Sequence, residues 1–94
     1  MRAKLIYHDK VIEAKDSIIE ITIWLVPTSA DKPHGYKYSL VYIKNGSRIV
    51  GYDNAEGKGD HRHYGDKEEP YEFKSKNKLF EDFYIDLRRV KIEG

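Results

Sequence analysis

The run YKYSLVYIKNGSRIVGYDN, residues 36–54, does most to constrain the fold. Two alternating segments flank Asn45-Gly46, the pair that best accepts positive φ at both central positions of a two-residue type I′ turn. The run therefore predicts an antiparallel hairpin. Counting outward from the turn pairs Lys44 with Ser47, Tyr42 with Ile49, Leu40 with Gly51 and Tyr38 with Asp53. Tyr38 and Asp53 are then expected on one face, with Lys37 near Asn54, so that polar groups collect at the open end of the hairpin.

The remaining elements follow from period and punctuation. Residues 3–8 and 11–14 are apolar pieces around His8, Asp9 and Lys10, a strand or short hairpin. SIIEITIWLV, residues 17–26, is rich in β-branched residues and closed by Pro27, which predicts a buried strand with Ile19, Ile21, Ile23 and Leu25 on one face. PTSADKPHG, residues 27–35, is a loop. Residues 55–70 read as a loop whose middle, Asp60 to Tyr64, can be extended, and residues 71–74 as a further short strand. Leu79, Phe80, Phe83, Tyr84, Leu87 and Val90 recur at helical spacing. Ser75 stands as an N-cap before them, which predicts a helix from about Lys76 to Lys91. Strands followed by one helix make an α+β fold: a small single domain over residues 1–94, an antiparallel sheet of four or more strands packed by a C-terminal helix.

Composition limits the chemistry available. With 94 residues there is room for one core but not for a separate cofactor domain, so no cofactor is expected. The chain contains no cysteine, which removes disulfides, thiolate nucleophiles and cysteine-rich zinc sites. No apolar run approaches the roughly 20 residues of a membrane span. The charged start MRAKLIYHDK is unlike a signal peptide, so a cytoplasmic protein with no membrane contact is expected. Glutamine is absent, Met1 is the single methionine and 35% of residues are charged, a bias found in thermophiles. The net charge of +1 requires any positive potential that attracts nucleic acid to be local.

Chemistry concentrates in GYDNAEGKGDHRHYGDK, residues 51–67. His61 and His63 flank Arg62, so an extended backbone points both imidazoles to one side, about 6 to 7 Å apart. Such a pair can serve as general base and general acid on opposite sides of one phosphate, the requirement of a metal-free ribonuclease. Lys58 or Arg62 can neutralise charge in the transition state, and the amides of Gly57 to Gly59 can cradle phosphate oxygens. Asp60 can orient a histidine, with Asp53 and His34 as further catalytic candidates. Lys37 and Tyr38, at the hairpin end, are candidate substrate-binding residues. The same spacing also fits two other readings: a metal site of two histidines and a carboxylate, or a loop that only meets solvent or a partner. GKG lacks the remainder of a phosphate loop, which argues against a nucleotide triphosphatase. The tyrosines 36, 38 and 42 fit sheet packing, and an aromatic face beside a basic loop is also what single-stranded RNA uses.

HGYKYSLVYIKNG, then YDNAEGKGDHRH, then EEPYEF together resemble the TumE-type toxin family of prokaryotic toxin-antitoxin pairs, a likeness that covers nearly the whole chain and is densest from Tyr52 to His63. The resemblance implies a growth-inhibiting toxin neutralised by a cognate antitoxin, typically one with a DNA-binding helix-turn-helix. With the histidine pair it favours a small metal-independent endoribonuclease, with RNA as substrate. The alternatives are a non-catalytic protein- or nucleic-acid-binding module and a metal-dependent nuclease or phosphodiesterase. Trp24, Tyr84 and the helix surface offer apolar area for the antitoxin, or for a homodimer.

Overall fold

In the computed structural model, which describes residues 3–14, 16–30, 32–54 and 59–93, the chain forms a six-stranded antiparallel sheet and one helix. The strands are β1 (Lys4–Ala14), β2 (Ser17–Leu25), β3 (Tyr36–Lys44), β4 (Ser47–Asp53), β5 (His61–Tyr64) and β6 (Lys67–Pro70), followed by α1 (Lys76–Glu93). They lie side by side in chain order. The expected α+β architecture is therefore present, with two more strands than the minimum. β1 is continuous through His8, Asp9 and Lys10 instead of breaking into a hairpin. The last strand is Lys67–Pro70, where a loop was expected, and residues 71–75 form no strand.

Alternation decides which face is buried. Ile19, Ile21 and Ile23 of β2, Tyr38, Leu40 and Tyr42 of β3, and Val50 and Tyr52 of β4 form one core with Leu79, Phe83 and Leu87 of α1. Phe83 is fully buried, and covering a ring of that size contributes about 1.5–3 kcal/mol. The helix starts where Ser75 Oγ accepts the Lys78 amide at 3.0 Å, as its N-cap position predicts. Polar groups tie the helix to the sheet as well. Asp86, buried on the helix, accepts from Tyr52 Oη and Arg62 Nε, each at 2.6 Å.

The β3–β4 register differs from the expected one. Asn45 and Gly46 take φ of 54° and 75°, and Lys44 does pair with Ser47. Beyond Ile43 opposite Arg48, however, a β-bulge at Ile49 shifts every later pair. Tyr42 meets Val50, Val41 meets Gly51, Leu40 meets Tyr52 and Ser39 meets Asp53. One extra residue exchanges the faces of everything beyond it. Tyr38 and Asp53 consequently lie on opposite faces: Tyr38 under the helix, Asp53 on the face that no helix covers. Asn54 does approach Lys37, since its buried side chain accepts the Tyr38 amide at 3.0 Å and donates to the Tyr36 carbonyl at 2.7 Å.

Candidate active site on the uncovered sheet face

The pairing of β4, β5 and β6 assembles the site. Asp53 stands opposite His61, Gly51 opposite His63, and His63 opposite Glu68. Both imidazoles share the uncovered face, with ring centroids 4.9 Å apart and planes at 77°. His61 Nδ1 donates to the Gly59 carbonyl at 3.1 Å, which leaves Nε2 as the working nitrogen. Gly59 itself has φ of 74°, a conformation glycine adopts without strain. From His61 Nε2, Asp53 Oδ1 lies 2.8 Å away, and from His63 Nε2, Asp53 Oδ2 lies 3.7 Å away. Glu68 Oε2 is 3.4 Å from both Nε2 atoms.

The bulge supplies the cation. Without it, Arg48 and Gly51, three residues apart, would face opposite ways; with it they share the histidine face. The Arg48 side chain then crosses β4 above Gly51, and a Cβ at Gly51 would stand only 2.9 Å from Arg48 Cδ. Its guanidinium reaches His63 Nδ1 at 2.9 Å. Arginine can only donate, so Nδ1 is the acceptor and the neutral ring carries its proton on Nε2, an assignment made from hydrogen bonding. Burial, reinforced by the Arg48 charge, holds the His63 imidazole below its ordinary 6.5, against the pull of Asp53 and Glu68.

Arg62 and Asp60 take other positions. The Arg62 side chain passes to the helix face, bonded to Asp86 and Glu69 and lying 4.7 Å over the Tyr64 ring. Hydrogen bonds to Asp86, and then to Glu69, raise its pKa further despite partial burial. Asp60 accepts from Tyr38 Oη at 2.6 Å and from His34 Nε2 at 2.9 Å, while His34 Nδ1 accepts the Tyr36 amide. Burial, then the Asp60 bond, push the Tyr38 phenol far above its ordinary range. Tyr38 and His34, with the Phe73 ring tilted 4.0 Å from His34, brace the helix face of the sheet, while Asp60 also lines one cavity with His61 and Glu68. Gly57 and Lys58 lie outside the described residues.

Arg48, Glu68 and Gly51 complete the site, although composition and spacing do not single them out. The adjacent apolar pair Ile49-Val50, which breaks the alternation of SRIVGYD, is the one trace of the bulge that brings Arg48 round. Asp86 also had a signal, a carboxylate inside the apolar stripe between Phe83 and Val90 that requires a cation from the sheet.

Two imidazoles, each only 9% exposed, two carboxylates and one guanidinium meet on the sheet face that the helix leaves open, in a small α+β protein. Comparison with protein families matches Toxin TumE over residues 2–91, so the chain belongs to the TumE toxin family. Neither a curated protein nor a solved structure gives a match. Among the described residues no helix is long and apolar enough to cross a membrane.

Proposed function

We propose that this toxin inhibits growth as a metal-independent endoribonuclease, held in check by a cognate antitoxin with a helix-turn-helix domain. The observation that carries the reading is the carboxylate oxygen of Glu68, 3.4 Å from each of the two Nε2 atoms. An anionic oxygen there is within reach of both rings, and Glu68, with its side chain 56% exposed, can yield the position to a phosphate. His63, kept neutral near pH 7, is the base, and His61, facing the Asp53 carboxylate, is the acid. Arg48 turns from His63 Nδ1 to the phosphate, so the imidazole can hold its proton at Nδ1 and accept another at Nε2. His63 takes the 2′-hydroxyl proton, the 2′-oxygen bonds to phosphorus, and the bond to the 5′-oxygen breaks as His61 protonates it. The products are a 2′,3′-cyclic phosphate and a 5′-hydroxyl, and Arg48 offsets the charge that builds up on the phosphorane. Lys58 and Gly57 remain candidates for holding the phosphate beside it.

A second reading has its own support, since Asp53, His61 and His63 offer ligand atoms within 4.8 Å of one another, suited to a divalent metal. Against it, Arg48 places a cation 2.9 Å from His63 Nδ1, and a fixed positive charge at the cluster opposes a second one. Changing His61 or His63 to alanine should lower RNA cleavage roughly 10²- to 10⁴-fold, and growth inhibition with it. EDTA should leave the parent's cleavage unchanged; loss of activity restored by one metal would establish the second reading. A double alanine variant as toxic and as active as the parent would remove the catalytic role altogether.

A further inference from the structure

The bare face carries a second row of side chains beside the histidine cluster. Leu5, Trp24 and Lys37 stand opposite one another across β1, β2 and β3. A cavity of about 190 Å³ lies beside Trp24 and Lys37, lined also by Thr22, Tyr38, Ser39 and Asp53. Asp53 also meets His61 at 2.8 Å, so one carboxylate borders both the cavity and the cluster. By strand spacing and residue rise, Trp24 sits about 12 Å from Asp53. The indole is partly exposed and Leu5 is 47% exposed. Tyr38 and Tyr42, the tyrosines that could have stacked bases, are buried under the helix at 2% and 5% exposure.

From this placement, and resting on the ribonuclease reading above, we infer that Trp24 and Lys37 form a nucleotide subsite for single-stranded RNA. The indole stacks on a base and the Lys37 ammonium holds an adjoining phosphate, with the scissile phosphate at His61 and His63. The pairing of a flat ring and a cation on an open sheet suits unpaired nucleotides, because a duplex hides its base faces in its own stack. Ser39 and Thr22, whose hydroxyls line the same cavity, face the sugar and base edges.

Trp24 is the single tryptophan of the chain, so its fluorescence reports the subsite directly. The full chain is titrated with a mixed-sequence RNA oligonucleotide carrying 2′-O-methyl ribose throughout, which cannot be cleaved by 2′-attack. Quenching that saturates is the expected result. Trp24→Ala should weaken binding of a labelled oligonucleotide roughly 5- to 100-fold and raise KM with kcat nearly unchanged, while Trp24→Phe, which keeps the fold and a ring, retains most of the affinity. Lys37→Gln should lower the slope of affinity against salt by about 0.7, the value for one phosphate contact on a single strand. Absence of quenching, or Trp24→Ala with the parent's KM, overturns the subsite while leaving the histidine variants to decide the chemistry. Quenching by the antitoxin alone also overturns it, because the row would then be a protein interface.

Discussion

Gly51→Ala tests whether the bulge and the bare glycine exist to deliver Arg48. The added Cβ would lie 2.9 Å from Arg48 Cδ, and the flexible arginine gives way before the strand does. Folding should change by no more than about 1 kcal/mol, because the alanine also restricts the unfolded chain. The guanidinium, however, leaves His63 Nδ1, which it now meets at 2.9 Å. A hydrogen bond to a charged group contributes about 1.5–3 kcal/mol. If that energy is spent on the transition state, kcat/KM on an RNA oligonucleotide falls roughly 10- to 150-fold. A double-mutant cycle isolates the cause: in an Arg48→Ala background, Gly51→Ala should add almost nothing. Full activity in Gly51→Ala, or additive losses in the double variant, would refute the idea that Gly51 acts by making room for Arg48.

Other expectations come from the same geometry. Glu68→Gln removes the charge that competes for the phosphate position, and one charge about 4 Å away is worth about 1 kcal/mol in water, so KM should drop about 5-fold in steady-state assays. Arg48 is one of the causes that lower the His63 pKa, so Arg48→Gln should move the acidic limb of the pH–rate profile to higher pH. The same lowered pKa makes stability depend on pH. The unfolded ring binds a proton near 6.5 and the folded one only below that, so urea melts should show stability present above pH 6.5 and lost as pH falls through the folded pKa, less so in His63→Ala. Asp86→Ala leaves Arg62 and Tyr52 without their shared acceptor and should cost about 3 kcal/mol in the same melts, the low end for a broken buried pair because Glu69 still holds Arg62.

Much of the fold was legible because period and turn chemistry are local. Asn45-Gly46, the isoleucine run of β2 and the stripe on α1 each announce their element within a few residues. The same local signals placed His61 and His63 on one face. What escaped prediction depends on one residue of register. Nothing in residues 36–54 outweighs regular alternation except the adjacent Ile49 and Val50, and that slip puts Tyr38 on the face opposite Asp53 and the histidines. β6 escaped because KEEP carries no apolar alternation; it exists by pairing with β5 across the Gly65-Asp66 turn, where Gly65 has φ of 61°. Arg62 and Asp60 stand between glycines and histidines in a basic stretch, and only their neighbours on the helix face, Asp86 and Tyr38, show how they are engaged.

The side-by-side order of the strands also bears on how the chain acquires its shape. Each strand pairs only with the one before and after it in sequence, so the sheet closes through a succession of short loops, each with little chain entropy to lose. Assembly can run hairpin by hairpin, in the regime where local topology favours quick folding. The exception is the last element, since α1 must return from beyond β6 to cover Ile21, Ile23 and Leu40 on strands made long before it. The histidine cluster is built from residues 48–68, all made before α1, yet the sheet beneath it has no core until residues 79–87 arrive. During synthesis the cluster is therefore spelled out early, and the core that holds it in place is complete only when nearly the whole chain has been made.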